Sequence, residues 1–220
     1  MSYKKNIGLE NSEIQKYIFD HSKPEDQILY NLHRQTHLKL YHPRRSTEHL
    51  NGLFLEMISK MIRPASILEI GTFSGYGTIC LAKGLNEGGT IQSIEINDEL
   101  EDFILTNFEK ADITDRVVLH IGDALKILPE LNETFDLVFI DAEKDQYAKY
   151  FDLVIDKVRP GGFILADNVL WSGKVVEAYL PDNDHFTRGI LEFNRKIQDD
   201  LRVENLLLPV YDGIMIIRKL

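Results

Sequence analysis

The sequence predicts an α/β domain built on a mainly parallel sheet that ends in an antiparallel hairpin. From residue 66 onward, short apolar runs alternate with helix-like segments. These runs are almost continuously apolar, which is typical of parallel strands covered on both faces. The last two runs are joined only by the segment PVYDG, which is too short for a parallel crossover. The alternation by itself allows a dinucleotide-binding fold equally well.

Composition and charge limit the classes of protein to which the chain can belong. With 220 residues, of which 44% are apolar and 27% charged, we expect one globular domain over 1–220. We find neither a membrane-spanning apolar run nor an N-terminal signal segment, and the single cysteine, Cys80, fits a reducing compartment. We therefore expect a cytoplasmic protein with no membrane contact. The net charge of −10 argues against a general nucleic-acid binder.

The first part of the domain, residues 1–62, is predicted to be helical, and residues 63–220 form the α/β core. Ser22 and Glu25 have the spacing of a capping box, with Pro24 in the first turn, so we predict that a helix begins there. Pro43 should end this helix, because the residue before a proline avoids the helical region. A second helix is predicted over residues 47–62, where apolar residues recur at helical spacing.

The core alternates strands and helices. Strands are predicted over residues 66–70, 90–96, 116–121, 135–140 and 161–166, with helices at about 75–85, 98–110, 123–131 and 145–158. A further helix near residues 185–200 precedes the hairpin strands 203–208 and 213–218.

The turn after the first core strand has the features of a cofactor loop. Gly71, Gly75 and Gly77 follow the pattern G-x-x-x-G-x-G, which differs from the G-x-G-x-x-G of NAD-binding proteins. Glycines at such a turn allow the backbone to approach a ligand closely. Glu69, just before the loop, suits a cationic ligand better than a pyrophosphate.

Two further acids follow the next strands. Glu95 ends the second strand, 24 residues after Gly71, where a carboxylate can accept hydrogen bonds from both ribose hydroxyls. Asp123 ends the third strand and is placed to reach an adenine amino group. This succession resembles the S-adenosylmethionine site of class I methyltransferases, whose sheet has seven strands, five parallel strands plus a terminal hairpin.

The fourth and fifth strands also end in polar residues. Asp141 follows the fourth strand, and Asp167 and Asn168 follow the fifth. If these strands are neighbours, two carboxylates and one amide oxygen converge on a site that suits Mg²⁺, with Mn²⁺ or Ca²⁺ as alternatives, rather than zinc. Lys144, three residues after Asp141, is expected near the same point.

The segments DAEKDQY and DNVLW resemble the cation-dependent O-methyltransferases, the caffeoyl-CoA and catechol O-methyltransferase group. The resemblance extends from about Thr47 to the final DGIMIIRK. It implies that Asp141, Asp167 and Asn168 bind the metal, that Lys144 with Asp141 is catalytic, and that Trp171 lines the acceptor pocket. Trp171 could instead be a core residue. The cofactor residues implied by the resemblance are Thr47, Glu69, Gly71, Ser74, Gly75, Gly77, Glu95, Asp123, Ala124 and Asp141.

From these features we predict an O-methyltransferase that uses S-adenosylmethionine and a divalent cation and acts on a small phenolic, catechol-like substrate. Arg44 and Arg45 could contact phosphates of coenzyme A or RNA. The alternatives are methylation of a hydroxylated uridine in tRNA, with phosphates held by Arg44, Arg45, Lys174 and Arg188, and cofactor binding without turnover. The family resemblance also implies a homodimer. The acceptor pocket is expected to differ from that of the plant enzymes, because NGLFL replaces their G-Q-F-L segment and VYDG their VGDG.

Overall fold

The computed structural model describes residues 12–220. The N-terminal part of these described residues is helical, as predicted. It consists of α1 (Ser12–Asp20), α2 (Gln27–Lys39) and α3 (His49–Ile62), with a 3-10 turn at Pro43–Arg45. The predicted helical segment also includes residues 1–11, which lie outside the described residues.

The start of α2 differs from the sequence prediction. Asp26 caps this helix, and its side chain accepts a hydrogen bond from the Leu29 N–H at 2.9 Å. Ser22 donates its hydroxyl to a carbonyl of α1, and Glu25 accepts a hydrogen bond from the Tyr76 hydroxyl at 2.6 Å. The prediction of a Ser22 cap is wrong because aspartate caps a helix as well as serine does, and both members of the predicted pair bind elsewhere.

The core of the described chain is a single sheet. Its strands are β1 (Ser66–Ile70), β2 (Thr90–Glu95), β3 (Val117–Ile121), β4 (Phe135–Ile140), β5 (Val158–Asp167), β6 (Val203–Leu208) and β7 (Ile214–Lys219). Their spatial order is β3-β2-β1-β4-β5-β7-β6. The first five strands are parallel, and β7 is antiparallel to both β5 and β6. This arrangement confirms the predicted fold class and the terminal hairpin.

The order of the strands fixes where a ligand can bind. β1 lies between β2 and β4, so the chain leaves β1 in one direction along the sheet and later continues from β4 in the other. In open α/β sheets, ligands bind at such a reversal, outside the carboxyl ends of the strands. The loops after β1 and β4 are therefore expected to meet at the site.

Helices cover both faces of the sheet. They are α4 (Tyr76–Ala82), α5 (Glu101–Lys110), α6 (Ala124–Ile127), α7 (Tyr147–Val154) and α8 (His185–Asp199). Leu137 and Phe139 of β4 pack with residues of α2 to α5, whereas Val138 and Ile140 pack with residues of α6 to α8. This alternation follows from the two-residue period of a strand. Within the described residues, no helix is long and apolar enough to cross a bilayer.

The helices α6 and α7 are shorter than predicted. A 3-10 turn at Leu128–Glu130 continues α6, and further 3-10 turns at Lys144–Gln146 and Ile155–Lys157 flank α7. The apolar spacing used in the prediction does not separate these tighter turns from an α-helix.

A buried carboxylate connects the N-terminal segment to the core. Glu56 of α3 is only 2% exposed and accepts hydrogen bonds from Lys23 at 2.8 Å and Lys60 at 2.6 Å, and the Lys83 amine lies 3.3 Å away. Burial acts to raise the pKa of Glu56, but these ammonium groups hold it at about 2. The charged network joins residue 23 to α3 and α4, so the segment before α2 is fixed over these helices.

Candidate active site

A cavity of about 520 Å³ opens at the sheet edge where β1, β2, β4 and β5 end. The sheet register brings these ends together, because β1 pairs with β2 and β4, and β4 pairs with β5. The wall is completed by segments far apart in the chain, from Arg44 to Asp212. The cavity therefore lies where the strand order predicts a ligand site.

The turn from β1 into α4 is shaped by a left-handed backbone. Gly71 and Gly75 have φ angles of 101° and 84°, and Phe73 between them has a φ of 48°. Glycine adopts such angles without strain, whereas a side chain such as that of Phe73 disfavours them. The N–H of Phe73 donates a hydrogen bond to the Glu95 carboxylate at 2.7 Å, which fixes this loop to the end of β2.

Glu95 retains hydrogen-bonding capacity for a ligand. Its second oxygen accepts the N–H of Asn97 at 2.9 Å, so each oxygen receives one backbone N–H. Each oxygen of an ionised carboxylate can accept a second hydrogen bond, and Glu95 lines the cavity. The side chain is therefore preorganised to accept hydrogen bonds from two neighbouring hydroxyl groups.

Glu69 lies deeper, with 1% of its surface exposed. One of its oxygens accepts hydrogen bonds from Thr78 at 2.5 Å and from Ser93 at 2.6 Å. Burial raises the pKa of Glu69 to about 7, against the lowering effect of these two hydroxyls. Its other oxygen lies beside Gly77, where an added Cβ would come within 2.9 Å of it.

The end of β3 contributes backbone and a small side chain to the wall. Gly122 and Ala124 line the cavity. Asp123 instead caps α6, accepting the N–H of Leu125 at 2.9 Å, and its carboxylate lies 3.9 Å from Lys126. The contact of Asp123 with an adenine group stays a prediction.

The acids after β4 and β5 line the same cavity. Ile140 pairs with Ala166, so Asp141 and Asp167 follow residues in direct register. Asp167 is 6% exposed, and burial together with the negative charge of Asp141 raises its pKa to about 7. Asn168 has a left-handed φ of 59°, and its N–H donates to the Asp167 carboxylate at 2.7 Å.

These groups fit a hard divalent cation by their chemistry. Among residues 12–220, no three His, Cys, Asp or Glu side chains come together as metal ligands, and the predicted set contains only two such residues plus an amide. The repulsion between Asp141 and buried Asp167 is the observation that favours a cation, because a positive charge between them would offset it. Oxygen ligands of this kind suit Mg²⁺.

Lys144 is held beside the acids. It lies in the 3-10 turn before α7, is 7% exposed and lines the cavity. Its Nζ donates to Asp141 Oδ1 at 2.8 Å and to the Tyr147 hydroxyl at 2.6 Å. Lys144 and Asp141 are therefore brought together as the sequence predicts.

Aromatic residues form the outer wall. Trp171 has a left-handed φ of 48° and meets the ring of Phe186 in an edge-to-face contact, with centroids 6.1 Å apart. Tyr211 lines the same side of the cavity. Trp171 also packs against the buried core, so the two interpretations of this residue, pocket wall and core residue, both describe part of its surroundings.

The loop before β7 supports this wall. Asp212 accepts the Ser172 N–H through its carboxylate at 2.5 Å and the Leu170 N–H through its carbonyl at 2.9 Å. Further residues line the cavity without having been predicted from the sequence, among them Asn51, Phe186, Tyr211 and Asp212. The antiparallel hairpin was a usable signal for two of them, because a strand antiparallel to β5 must begin where β5 ends.

The entrance is formed by the segment before α3. Arg44, Arg45 and Thr47 line the cavity, and the buried Ser46 hydroxyl lies 3.0 Å from that of Ser74 in the cofactor loop. Lys174 and Arg188, the other proposed phosphate contacts, are not among the lining residues; Lys174 lies 3.4 Å from Asp184, and Arg188 lies 3.7 Å from Asp182.

Most of the residues predicted from sequence meet in this cavity. Those on its wall are Arg45, Thr47, Glu69, Gly71, Ser74, Gly77, Glu95, Ala124, Asp141, Lys144, Asp167, Asn168 and Trp171. Gly75 and Asp123 are not lining residues. A Cβ at Gly75 would lie 2.8 Å from the Phe108 ring, so packing and the positive φ of 84° together account for this glycine.

Comparison with known proteins identifies related chains. The family model described as O-methyltransferase matches residues 19–220. Caffeoyl-CoA O-methyltransferase 1 from Eucalyptus globulus is 38% identical over 178 residues, which cover 77% of this chain and 72% of the relative.

Solved structures with the same fold include ligand-bound examples. The O-methyltransferase from Bacillus cereus in complex with SAH has a TM-score of 0.87 and 31% identity, covering 94% of this chain and 97% of that one. The O-methyltransferase TomG from Streptomyces achromogenes in complex with SAM has a TM-score of 0.87 and 28% identity, covering 94% and 96%.

Proposed function

The chain belongs to the O-methyltransferase family, and we propose that it methylates a hydroxyl of a catechol-like aromatic with S-adenosylmethionine as donor and a divalent cation as cofactor. One observation carries the proposal. The cofactor loop, the Asp141 and Asp167 pair, the Lys144 amine and the Trp171 wall all line a single cavity. A methyl donor, a cation and an aromatic acceptor bound there would be neighbours.

The donor would be held by the ends of β1, β2 and β3. Glu95 accepts the ribose hydroxyls with the hydrogen-bonding capacity that its two backbone contacts leave free. Gly71, Ala124 and Thr47 line the rest of the proposed donor-binding part of the cavity. When bound, S-adenosylmethionine supplies an electrophilic methyl group on its sulfonium, and the role of these residues is to fix its position relative to the acceptor.

The cation would be held by Asp141, Asp167 and Asn168. The raised pKa of Asp167 beside Asp141 supports this assignment, and Mg²⁺ is the proposed ion because all three side chains offer oxygen. When bound, the cation supplies positive charge that favours the ionised form of the acceptor hydroxyl.

Lys144 is the proposed base for the acceptor proton. Its amine is buried at the cavity wall and hydrogen-bonded to Asp141, so it is held at a fixed place beside the acids. A base must lie within hydrogen-bond reach of the proton that it removes. In its neutral form the Nζ lone pair would take the acceptor proton, which leaves an ammonium group and an oxygen nucleophile in the cavity, where the bound aromatic ring would exclude water.

The acceptor would bind between the aromatic side chains and the entrance. Trp171, Phe186 and Tyr211 offer ring faces and edges to a phenolic substrate. The Eucalyptus globulus relative is named for caffeoyl-CoA, and Arg44 and Arg45 at the entrance have the charge that the phosphates of a coenzyme A ester require. We therefore propose that coenzyme A esters of catechol acids are among the substrates. The tRNA alternative stays a prediction, and the relatives named above give it no support.

Assembly and location form the remaining part of the proposal. Exposed apolar side chains on α2 and α3, including Leu38 and Met61, support a homodimer formed through the N-terminal helices. The single cysteine supports a cytoplasmic location.

Methyl transfer from labelled S-adenosylmethionine tests the proposed function. Catechol, caffeoyl-CoA and a hydroxyuridine tRNA are each assayed with and without EDTA, and added Mg²⁺ should restore the lost activity. We expect transfer to the two phenolic compounds and its loss in EDTA. Methyl transfer that EDTA leaves unchanged would refute the requirement for a divalent cation. Methyl transfer to tRNA alone would show that tRNA, and not a phenolic compound, is the substrate.

A further inference from the structure

Tyr147 is a buried residue directly behind the Lys144 amine. It begins α7 and has no exposed surface. Its ring packs against Phe193 of α8 in an edge-to-face contact, with centroids 5.4 Å apart. Tyr147 does not line the cavity, so it reaches the acceptor only through another residue.

The hydroxyl of Tyr147 joins three parts of the site. It lies 3.2 Å from the carbonyl of Ile140 and 3.1 Å from the carbonyl of Asp167, at the ends of β4 and β5. A phenol has one hydrogen to donate, and both of these neighbours are acceptors only. The hydrogen is therefore directed to the strand ends, and the phenol oxygen accepts a hydrogen bond from Lys144 Nζ at 2.6 Å.

The contact between Lys144 and Tyr147 limits the directions in which the Lys144 amine can bind an acceptor. A lysine nitrogen has three tetrahedral positions beyond its Cε atom. Asp141 Oδ1 occupies one at 2.8 Å and the Tyr147 oxygen occupies a second at 2.6 Å. Because Lys144 lines the cavity, the third position is the one left for an acceptor hydroxyl.

We propose that Tyr147 is a positioning residue whose hydroxyl fixes the Lys144 amine so that its third tetrahedral position faces the acceptor. The inference rests on the proposed role of Lys144 as base. Asp141 alone cannot supply this restraint, since one contact leaves rotation about the hydrogen bond free and Asp141 is also a proposed metal ligand. Tyr147 is neutral and is tied to both strand ends.

The surroundings of the Tyr147 hydroxyl support its role as a positioning group. The Tyr147 hydroxyl is fully buried, accepts from Lys144 Nζ at 2.6 Å, and lies within 3.2 Å of two backbone carbonyls toward which it donates. These fixed contacts make the contribution of the phenol directional.

The direct test is Tyr147→Phe, which keeps the ring and removes the hydroxyl. We expect kcat to fall about 10- to 100-fold, because a misplaced catalytic group costs up to about that factor, while the acceptor KM and the affinity for S-adenosylmethionine stay unchanged. Phe193→Leu is the matched control, since it loosens the packing of the same ring but leaves the hydroxyl contacts intact. It should lower the thermal midpoint and leave kcat within about 3-fold.

A double-mutant cycle separates positioning from a merely structural role. If Tyr147 acts through Lys144, adding Tyr147→Phe to Lys144→Ala should cause no further loss of kcat. Losses that multiply, or a Tyr147→Phe protein with unchanged kcat, would overturn the inference. A Lys144→Ala protein with full activity would instead refute Lys144 as the base.

A second substitution covers the case in which Tyr147→Phe does not fold. Difluorotyrosine at position 147 keeps the ring and the hydroxyl but makes the oxygen a weaker acceptor. We expect a measurable fall in kcat with unchanged KM, and a kcat equal to that of the natural residue would also overturn the inference.

Discussion

Gly71 lies against the backbone of Asp141, so closely that a Cβ at Gly71 would come within 2.1 Å of the Asp141 carbonyl oxygen. The N–H of Asp141 in turn donates to the carbonyl of Ile70 at 2.9 Å. The cofactor loop and the proposed metal site are thus parts of one contact between the ends of β1 and β4. A shift of the backbone on one side would therefore disturb the other.

This contact predicts that Gly71→Ala damages the whole site. The added methyl collides with backbone, and the positive φ of 101° adds strain of about 1–3 kcal/mol. We expect a lower thermal midpoint and at least about a 10²-fold fall in methyl transfer. Gly88→Ala is the control, because Gly88 has a similar φ of 72° with nothing within 4 Å. Equal behaviour of the two variants would contradict the prediction.

Asp141→Ala should abolish cation-dependent turnover and leave S-adenosylmethionine binding measurable by calorimetry. The substitution removes a proposed metal ligand and a partner of Lys144, whereas Glu95 and the glycine loop are unchanged. Asp145→Ala is the matched control, since Asp145 is an exposed acid of the same segment that does not line the cavity. Full activity of Asp141→Ala would show that the ligand assignment is wrong.

Glu69 predicts a protein that loses stability as pH rises. Its pKa is raised to about 7 from an ordinary value of 4.5, so the folded chain keeps a proton that the unfolded chain releases between these values. The free energy of unfolding should therefore fall on raising the pH through this window, by on the order of 3 kcal/mol, and the full stabilisation is present only below it.

Glu69→Gln should reduce this pH dependence, because the amide does not ionise and its oxygen can still accept from Thr78 and Ser93. The share due to Asp167, whose pKa is also raised to about 7, should remain. Denaturant unfolding of the ligand-free proteins at about pH 5 and about pH 8 measures the difference. Glu109→Gln, an exposed acid on α5, should behave like the natural chain. If the free energy of unfolding fell equally between about pH 5 and about pH 8 in Glu69→Gln and in the natural chain, the raised pKa of Glu69 would be contradicted.

Trp171→Ala should raise the KM for a phenolic acceptor about 3- to 10-fold, as expected for the loss of one aromatic contact, without changing the affinity for the donor. The thermal midpoint should also fall, because Trp171 packs against the core. Trp171→Phe should recover most of the KM by restoring a ring. A KM unaffected by Trp171→Ala would make the residue a core residue only.

Arg45→Glu distinguishes a coenzyme A ester from a free catechol. Reversal of the charge at the entrance should raise the KM for caffeoyl-CoA several-fold at low salt, and the KM for catechol should not change. Arg34→Glu introduces the same charge change at an exposed position of α2 that does not line the cavity. It should change neither the KM for caffeoyl-CoA nor the KM for catechol. Equal effects on both substrates would remove Arg45 from the proposed phosphate contacts.

Where an acidic side chain follows an apolar run with the spacing of a strand, the sequence predicted residues that line the cavity. Asp141, Asp167 and Glu95 each follow an apolar run, and in a parallel sheet all such ends meet at one edge. Contacts between segments that are far apart in the sequence could not be predicted from local spacing. The placement of Phe186 depends on how α8 packs, and the partner of Glu25 is Tyr76, 51 residues away, which no local spacing indicates.

The path of the last strand has a consequence for biosynthesis. β7 comes from the final residues of the described chain, yet it lies between β5 and β6, and the turn before it braces the loop after Asp167. A nascent chain that has emerged only as far as residue 200 already contains the glycine loop and both acids. It lacks β7, so β5 has a partner strand only on its β4 side, and it lacks Tyr211 of the cavity wall. Competence for methyl transfer should therefore arise only after β7 has emerged from the ribosome and paired with β5.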